Sequence, residues 1–478
     1  MNLVLALLSG VLLVLLFPGF DFTWLAPVAL APMLIACARE PSWKRRWICG
    51  WAAGVVFWCG VCPWIEFVMD VHGGMGPWGG WGTFVLFGLY KGLPMALFAT
   101  LAGVLMPRWW AIPAVAALWT GIERTHGYFG FAWLDLGNAG IDMSVLMRLA
   151  PITGVYGLSF VFAMTGCAVA LLIARRPPRE LLWLTVLVVM IALPGAPGPV
   201  VGPQKALLVQ PNIDTELQWT DDNVRDTEQK LALLSRANGA DLILWPEVPA
   251  PFYVSDAQFR EYTARIAQTA GAPFLFGAVG FTSQREPLNS AVMLDSSGKV
   301  VDRYDKINLV PFGEFIPPMF GWVNRITKEI GDFVPGERVV VFPLDGHKLG
   351  AFICYESVFP DLVRQFVRGG AEVLVNLSND GYFGHSAAHQ QHLEIVRMRA
   401  AENRRWILRA TNDGISAAID PAGRVVERMP PFVQTAGLLP YDYESTETPY
   451  TRHGDWFAWS CFALGFLMSA VSLAHRRL

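Results

Sequence analysis

A chain of 478 residues that is 53% hydrophobic, carries 19 Trp and 30 Phe and is only 16% charged holds more apolar surface than a soluble protein can bury. A membrane is therefore expected to be part of its solvent. Its formal net charge of -3 lacks the basic excess that phosphate backbones attract, which excludes nucleic acid as a partner.

A spanning helix needs about 20 mostly apolar residues. Residues 1–200 offer seven candidates, near 2–19, 22–38, 47–69, 81–105, 109–123, 152–174 and 180–196, and an eighth lies at 455–473. The first lacks a basic start and runs straight into the second, so it reads as a retained span rather than a cleaved leader. Short loops rich in Lys and Arg stay on the cytoplasmic side. Arg39, Lys44, Arg45 and Arg46 follow the second candidate, Arg108 the fourth, Arg175, Arg176 and Arg179 the sixth, and Arg476 and Arg477 the eighth. This pattern predicts cytoplasmic termini and an outward-facing segment over roughly 200–450.

The fold class expected is an α-helical transmembrane bundle of about eight spans plus an α/β domain. Residues 1–200 supply a membrane domain of about seven helices, 204–440 the exported domain and 455–473 the last helix. In the exported segment, β-branched or apolar runs at Ala206–Gln210, Leu242–Trp245, Pro273–Gly277, Ala291–Leu294, Leu349–Ile353 and Val373–Asn376 read as buried strands. Residues 223–238, 256–270, 358–369 and 387–404 have helical character.

Three of these runs deliver reactive groups. Leu242-Ile-Leu-Trp-Pro-Glu247 ends a strand in a carboxylate, at the carboxyl end where α/β folds place their chemistry. Tyr304-Asp-Lys306 leads into a loop broken by Pro311 and Gly313 that carries Glu314. Leu349-Gly-Ala-Phe-Ile-Cys354-Tyr355-Glu356 stops an apolar strand at a cysteine just before a helix, the layout of a nucleophile elbow. A thiol needs a base or a nearby cation to become nucleophilic, and Glu247 and Lys306 offer one of each. A lone cysteine is more often core than catalyst. Cys354, however, is the one thiol of the exported segment, whereas Cys37, Cys49, Cys59, Cys62, Cys167 and Cys461 sit in apolar stretches with no disulfide framework to read.

Other groups are ambiguous at this level. Cys59-Gly-Val-Cys62 has redox or metal spacing inside an apolar run that equally suits helix packing. His385, His389 and His392 have helical spacing compatible with zinc, but the segment reads as the start of a helix and no metal is expected. Lys91 lies inside the fourth candidate span. It either pairs with Glu66, Glu123 or a lipid phosphate, or snorkels to an interface, and Glu123-Arg124 suits structural anchoring as well as catalysis. The apolar segments Val248–Val254 and Phe315–Trp322 follow the Glu247 and Glu314 motifs. Either they cap the domain core or, with Phe320 and Trp322 as substrate contacts, they form a lid at lipid level.

Over about 205–435, Trp-Pro-Glu247, Lys306 with Pro-Phe-Gly-Glu314, and Ile-Cys354-Tyr-Glu356 together resemble the nitrilase (carbon-nitrogen hydrolase) superfamily. That resemblance implies an αββα sandwich, Glu247 as general base, Lys306 stabilising the oxyanion and Cys354 forming a thioester. With the spans, Trp-Thr-Gly-Ile-Glu-Arg124, Gly-Phe-Ala-Trp133 and Asn379-Asp-Gly-Tyr-Phe-Gly384, the whole chain resembles the apolipoprotein N-acyltransferase family. Tyr382 stands where that family's pattern has Trp. By this resemblance Glu314, Glu356 and Tyr355 support the triad, and Trp219 and Asn379 lie on the substrate path. The implied partners are a phospholipid acyl donor and a diacylated apolipoprotein acceptor, at a bacterial inner membrane, with no cofactor and one copy of the chain. The rivals are a membrane-tethered amidase and a transporter or receptor with an inactive nitrilase-like domain.

Overall fold

The structure is a computed structural model that describes residues 1–128, 130–199, 201–236, 239–311, 313–315 and 333–475. It divides into two compact units, one of residues 1–70, 76–196 and 453–478, the other of 71–75 and 197–452.

The first unit is helical. It contains α1 (Asn2–Leu15), α2 (Ala31–Arg39), α3 (Trp43–Val61), α4 (Trp64–Phe67), α5 (Gly76–Lys91), α6 (Leu93–Leu105), α7 (Ala111–Arg124), α8 (Ala150–Thr153), α9 (Val155–Ile173) and α10 (Val188–Ala192), with Trp456–Ala474 closing it. Among the described residues three helical stretches are long and apolar enough to cross a membrane: Gly76–Leu105, Val155–Ile173 and Trp456–Ala474. The bent pair Trp43–Val61 and Trp64–His72, with a 66° break, makes a fourth if it counts as one passage. Eight uninterrupted spans are thus not what forms, and proline is the main physical reason. Pro18 lies just past the end of α1, and Pro27 and Pro32 reduce the predicted span 22–38 to a turn of 3₁₀ helix, a coil and nine α-helical residues. After Pro177 and Pro178, the predicted span 180–196 is 3₁₀ helix to Leu187 followed by five α-helical residues.

Small residues set the closest helix contact. A Cβ on Gly121 would lie 2.4 Å from the Cα of Phe462, and one on Gly465 would lie 2.6 Å from the Cα of Leu118, so α7 and the final helix meet backbone to backbone. Arg124 closes the same seam by pairing with Asp455 at 2.5 Å, an anchoring role.

The second unit is a sandwich of two six-stranded sheets. Its strands are β1 (Gln204–Gln210), β2 (Leu242–Leu244), β3 (Phe274–Phe281), β4 (Pro287–Leu294), β5 (Val300–Asp305), β6 (Val341–Leu344), β7 (His347–Ile353), β8 (Val373–Ser378), β9 (Trp406–Thr411), β10 (Ala417–Ile419), β11 (Val425–Arg428) and β12 (Thr435–Tyr441). One sheet has the order β12-β1-β2-β3-β4-β5 and the other β11-β10-β9-β8-β7-β6. The sheets face each other through β1 and β9. Helices α11 (Asp221–Leu234) and α12 (Ala257–Ala270) cover the first, and α13 (Pro360–Arg368) and α14 (Ala388–Asn403) the second. The helix α15 (Pro449–His453) precedes α16 (Trp456–Ala474). This is the nitrilase-like αββα architecture. The strands β8 and β9 are buried along their whole length; the start of β8 accordingly reads as a continuous rather than alternating apolar run, whereas β9, which the sequence reading did not identify, carries Arg409 within it.

Polar capping and turn residues mark the ends of the covering helices. Asp256 accepts the amides of Gln258 and Phe259 at the start of α12, and Gly271 takes the left-handed conformation at its end. Under α12, Phe259, Ile266 and Ala267 join Leu207, Ile243, Trp245, Phe274 and Phe276 in one apolar cluster. Phe252, part of one predicted lid, is only 4% exposed and stacks on Phe259 at 4.5 Å, so that residue joins the core, whereas its neighbour Tyr253 is 43% exposed. The other predicted lid residues, Phe320 and Trp322, lie outside the described residues.

Candidate active site

The topology delivers chemistry to one edge of the sandwich. Parallel pairing of β1, β2 and β3, followed by antiparallel β4 and β5, points the carboxyl ends of β2 and β5 the same way. Glu247 follows β2, Lys306 follows β5, Cys354 follows β7 and Asn379 follows β8, each within three residues of the strand's end.

Trp245 fixes the first of these ends. It is fully buried, packs edge-on against Phe274 at 4.8 Å and donates Nε1–H to Ser235 at 2.8 Å. Glu247 is then presented at 7% exposure. Its Oε1 accepts Lys306 Nζ at 3.0 Å and Asn289 Nδ2 at 2.8 Å, while its Oε2 accepts the backbone N–H of Asn379 at 3.0 Å. A glycine on the next strand allows this approach, because a Cβ on Gly277 would sit 2.5 Å from Val248 N and 2.6 Å from Pro246 O.

Lys306 is held between two carboxylates, Glu247 and Glu314, the latter at 2.9 Å. Burial alone would depress its ammonium, but the charges of Glu247 and Glu314 outweigh that cost and hold it well above the usual lysine range. Glu314 in turn accepts the Val310 amide at 2.8 Å and Asn289 Nδ2 at 2.6 Å. Asn289 thus donates to both carboxylates, and sequence reasoning missed it. It lies near the start of β4, and only the pairing of β4 with β3 and β5 turns it toward this edge.

Cys354 is 7% exposed and has a φ of +50°, a left-handed backbone that a non-glycine residue adopts only when its surroundings impose it. Burial, and next to it the negative charge of Glu247, push its thiol upward against the pull of Lys306. The pull of Lys306 thus does not by itself offset burial and the Glu247 charge. Glu356, within the 3₁₀ turn Cys354–Val358, ties the elbow to the Lys306 loop: Oε2 accepts Ile353 N–H at 2.7 Å, and Oε1 accepts the Ile307 amide at 2.7 Å and the Tyr304 hydroxyl at 2.7 Å. Burial pushes its carboxyl up to about 7 against those donors. Tyr355 is buried and meets Phe359 edge-on at 5.3 Å.

The three histidines separate. His385 packs on Phe432 at 4.1 Å, His389 bonds the Gly384 carbonyl at 2.7 Å, and His392 lies 3.1 Å from both Asp380 and the Cys354 carbonyl. Burial works against the Asp380 charge, yet Arg409 and His392 hold its carboxyl well below the usual range. This buried network underlies the elbow and has no legible sequence spacing. Among the remaining predicted contacts, Trp219 is 39% exposed before α11, Asn379 reaches the cluster through its amide rather than its side chain, and Tyr382 is 42% exposed.

A family model described as carbon-nitrogen hydrolase matches residues 205–439, and one described as apolipoprotein N-acyltransferase N-terminal domain matches residues 9–168. The chain is 34% identical to the apolipoprotein N-acyltransferase of Geobacter metallireducens, over 99% of this chain and 95% of that protein. It is 33% identical to the one of Ralstonia nicotianae, over 99% and 93%. Among solved structures, an amidase from Nesterenkonia sp. AN1 aligns with 52% of this chain and 96% of its own at 21% identity and a TM-score of 0.37.

Proposed function

The chain belongs to the apolipoprotein N-acyltransferase family, and from that premise we propose that it moves a fatty acyl group from a membrane phospholipid to the α-amine of a diacylglyceryl-cysteine through a thioester on Cys354. The observation that carries this reading is the buried cluster of Glu247, Lys306 and Glu314, of which Glu247 and Lys306 act on a cysteine held at a left-handed elbow.

In the first half-reaction Glu247 takes the thiol proton as Sγ attacks the ester carbonyl. Lys306 neutralises the resulting alkoxide, and such a contribution typically lowers a barrier by about 2.7–4 kcal/mol. Collapse breaks the ester C–O bond, and Glu247 returns the proton to the departing lysophospholipid oxygen. In the second, the lipoprotein amine attacks the thioester, Glu247 accepts its proton, and the C–S bond breaks to regenerate the thiol. Lysophospholipid leaves before the acceptor reacts, which gives ping-pong kinetics. Glu314 and Asn289 keep Lys306 and Glu247 in register, Glu356 holds the elbow and Tyr355 its surroundings, and Trp219, Asn379, Phe320 and Trp322 are the proposed substrate contacts.

Lys- and Arg-rich loops support a multi-pass inner-membrane protein of eight passages, several of them short or broken, with both termini cytoplasmic and 204–440 on the periplasmic face as the catalytic domain. Intact-mass measurement after incubation with phospholipid is expected to show one fatty acyl adduct, lost on Cys354→Ala and discharged by a diacylated lipopeptide. Discharge by water alone, with ammonia released from a simple amide, would make the protein a hydrolase instead.

A further inference from the structure

Lys91, the last residue of α5, is only 1% exposed, so it does not snorkel. Its Nζ donates to the Phe131 carbonyl at 2.7 Å and lies 4.5 Å from the centroid of the Trp58 ring. An ammonium carries three N–H groups, so two remain beyond the Phe131 carbonyl, on the side shared by the Trp58 ring and its other neighbours. Lys91 also borders a cavity of about 20 Å³ within the helical unit, together with Trp58, Trp119, Glu123 and His126. Glu123 is 3% exposed, and its Oε1 accepts the Leu136 amide at 2.7 Å. Among the described residues no group stands at good hydrogen-bond geometry to its Oε2, to Trp119 Nε1 or to His126 Nδ1, although Ser159 and Trp119 lie beside the Glu123 carboxylate. Two donors and two acceptors therefore meet around a space of about the volume that one water requires.

We propose that this cavity is a binding site for a single ordered water that joins Lys91 to Glu123. The water accepts from Lys91 Nζ and Trp119 Nε1 and donates to Glu123 Oε2 and His126 Nδ1, four hydrogen bonds that use every lone pair and proton it has. Its role is to let an ammonium and a carboxylate coexist inside an apolar bundle without direct contact, where each left alone would be costly. The site thereby fastens α5 to α7 and to the chain around Phe131, and it stands independently of the acyl-transfer reading.

A map of the full chain in lipid nanodiscs, at a resolution that shows ordered solvent, is expected to contain one peak within hydrogen-bond reach of Lys91 Nζ and Glu123 Oε2. An empty cavity, an acyl chain in it, or Lys91 in direct contact with Glu123 would overturn the proposal. Thermal unfolding supplies a second reading. Lys91→Met and Glu123→Leu are each expected to lower the midpoint by at least about 5 °C, and the double variant to fall no further than the worse single one. Additive losses would mean that no water couples the two groups.

Discussion

At Cys354 two requirements oppose each other. In the proposed mechanism the sulfur must be sheltered from water to hold an acyl group, yet shelter and the adjacent Glu247 charge both push the thiol upward. Under that proposal Glu247 is at once the base and a brake on spontaneous ionisation. A group raised in this way is neutral through the neutral pH range and ionises only on the alkaline side, so alkylation of Cys354 by iodoacetamide should climb steadily between about pH 6 and 9 with no plateau. Glu247→Gln should separate the two effects: alkylation at pH 7 rises several-fold as the opposing charge disappears, while acyl transfer falls about 10²–10⁴-fold for want of the base. If both fell together, the carboxylate would be acting on the fold rather than the proton. The three reactive residues were legible because each terminates an apolar run at a strand end. Asn289 was not, since a lone Asn inside a strand shows its direction only once its neighbours are paired, and the Asp380–His392–Arg409 network joins residues from three separate segments.

At the scale of elements, Gly277 is the position where β3 must run against the backbone of the Trp-Pro-Glu turn. Gly277→Ala places a methyl in contact with Val248 N and Pro246 O, neither of which moves without carrying Glu247 along. Overpacking of this kind costs about 1–3 kcal/mol, so the variant should stay folded with a modestly lowered melting midpoint while Cys354 acylation slows at least about tenfold. An unchanged acylation rate would show that Glu247 tolerates displacement. The strands β1, β2, β3, β4, β7 and β8 and the four covering helices of the sandwich were readable from apolar runs and helical periodicity, whereas β9, though fully buried, was not, because Arg409 interrupts its apolar run, and neither was β12. The short outer strands β5, β6, β10 and β11 were not, because partial burial or brevity leaves them without a run of their own. In the helical unit hydropathy alone overcounted uninterrupted spans: it registers apolar content, whereas breaks such as those at Pro18, Pro27 and Pro63 decide whether that content coils continuously.

For the molecule as a whole, the distribution of Lys and Arg predicts that the sandwich faces outward. Ser283 lies exposed at the turn between β3 and β4, which makes it a suitable reporter. In a Cys354→Ala background, Ser283→Cys is expected to react with a membrane-impermeant maleimide on spheroplasts, before any lysis. Labelling only after permeabilisation would invert the proposed orientation and remove the acyl-transfer reading with it.

The pairing of β1 with β12 has a separate consequence. Gln204 sits opposite Tyr441, and a Cβ on Gly202 would touch the Tyr441 carbonyl carbon at 2.1 Å, so the first and last strands of the sandwich lie side by side, one strand spacing or roughly 4.8 Å apart, before the chain runs on across the body to Arg452 with the Glu444 amide on the Glu372 carbonyl and Thr448 on the Glu402 carbonyl. That last run is part of the body, because Thr448, Tyr450 and Thr451 are buried and the two threonines bond Glu402 and Asn403. A foreign anchor joined after Arg452 would leave the sheets unstrained, whereas one joined directly after Tyr441 would strip these contacts from α14.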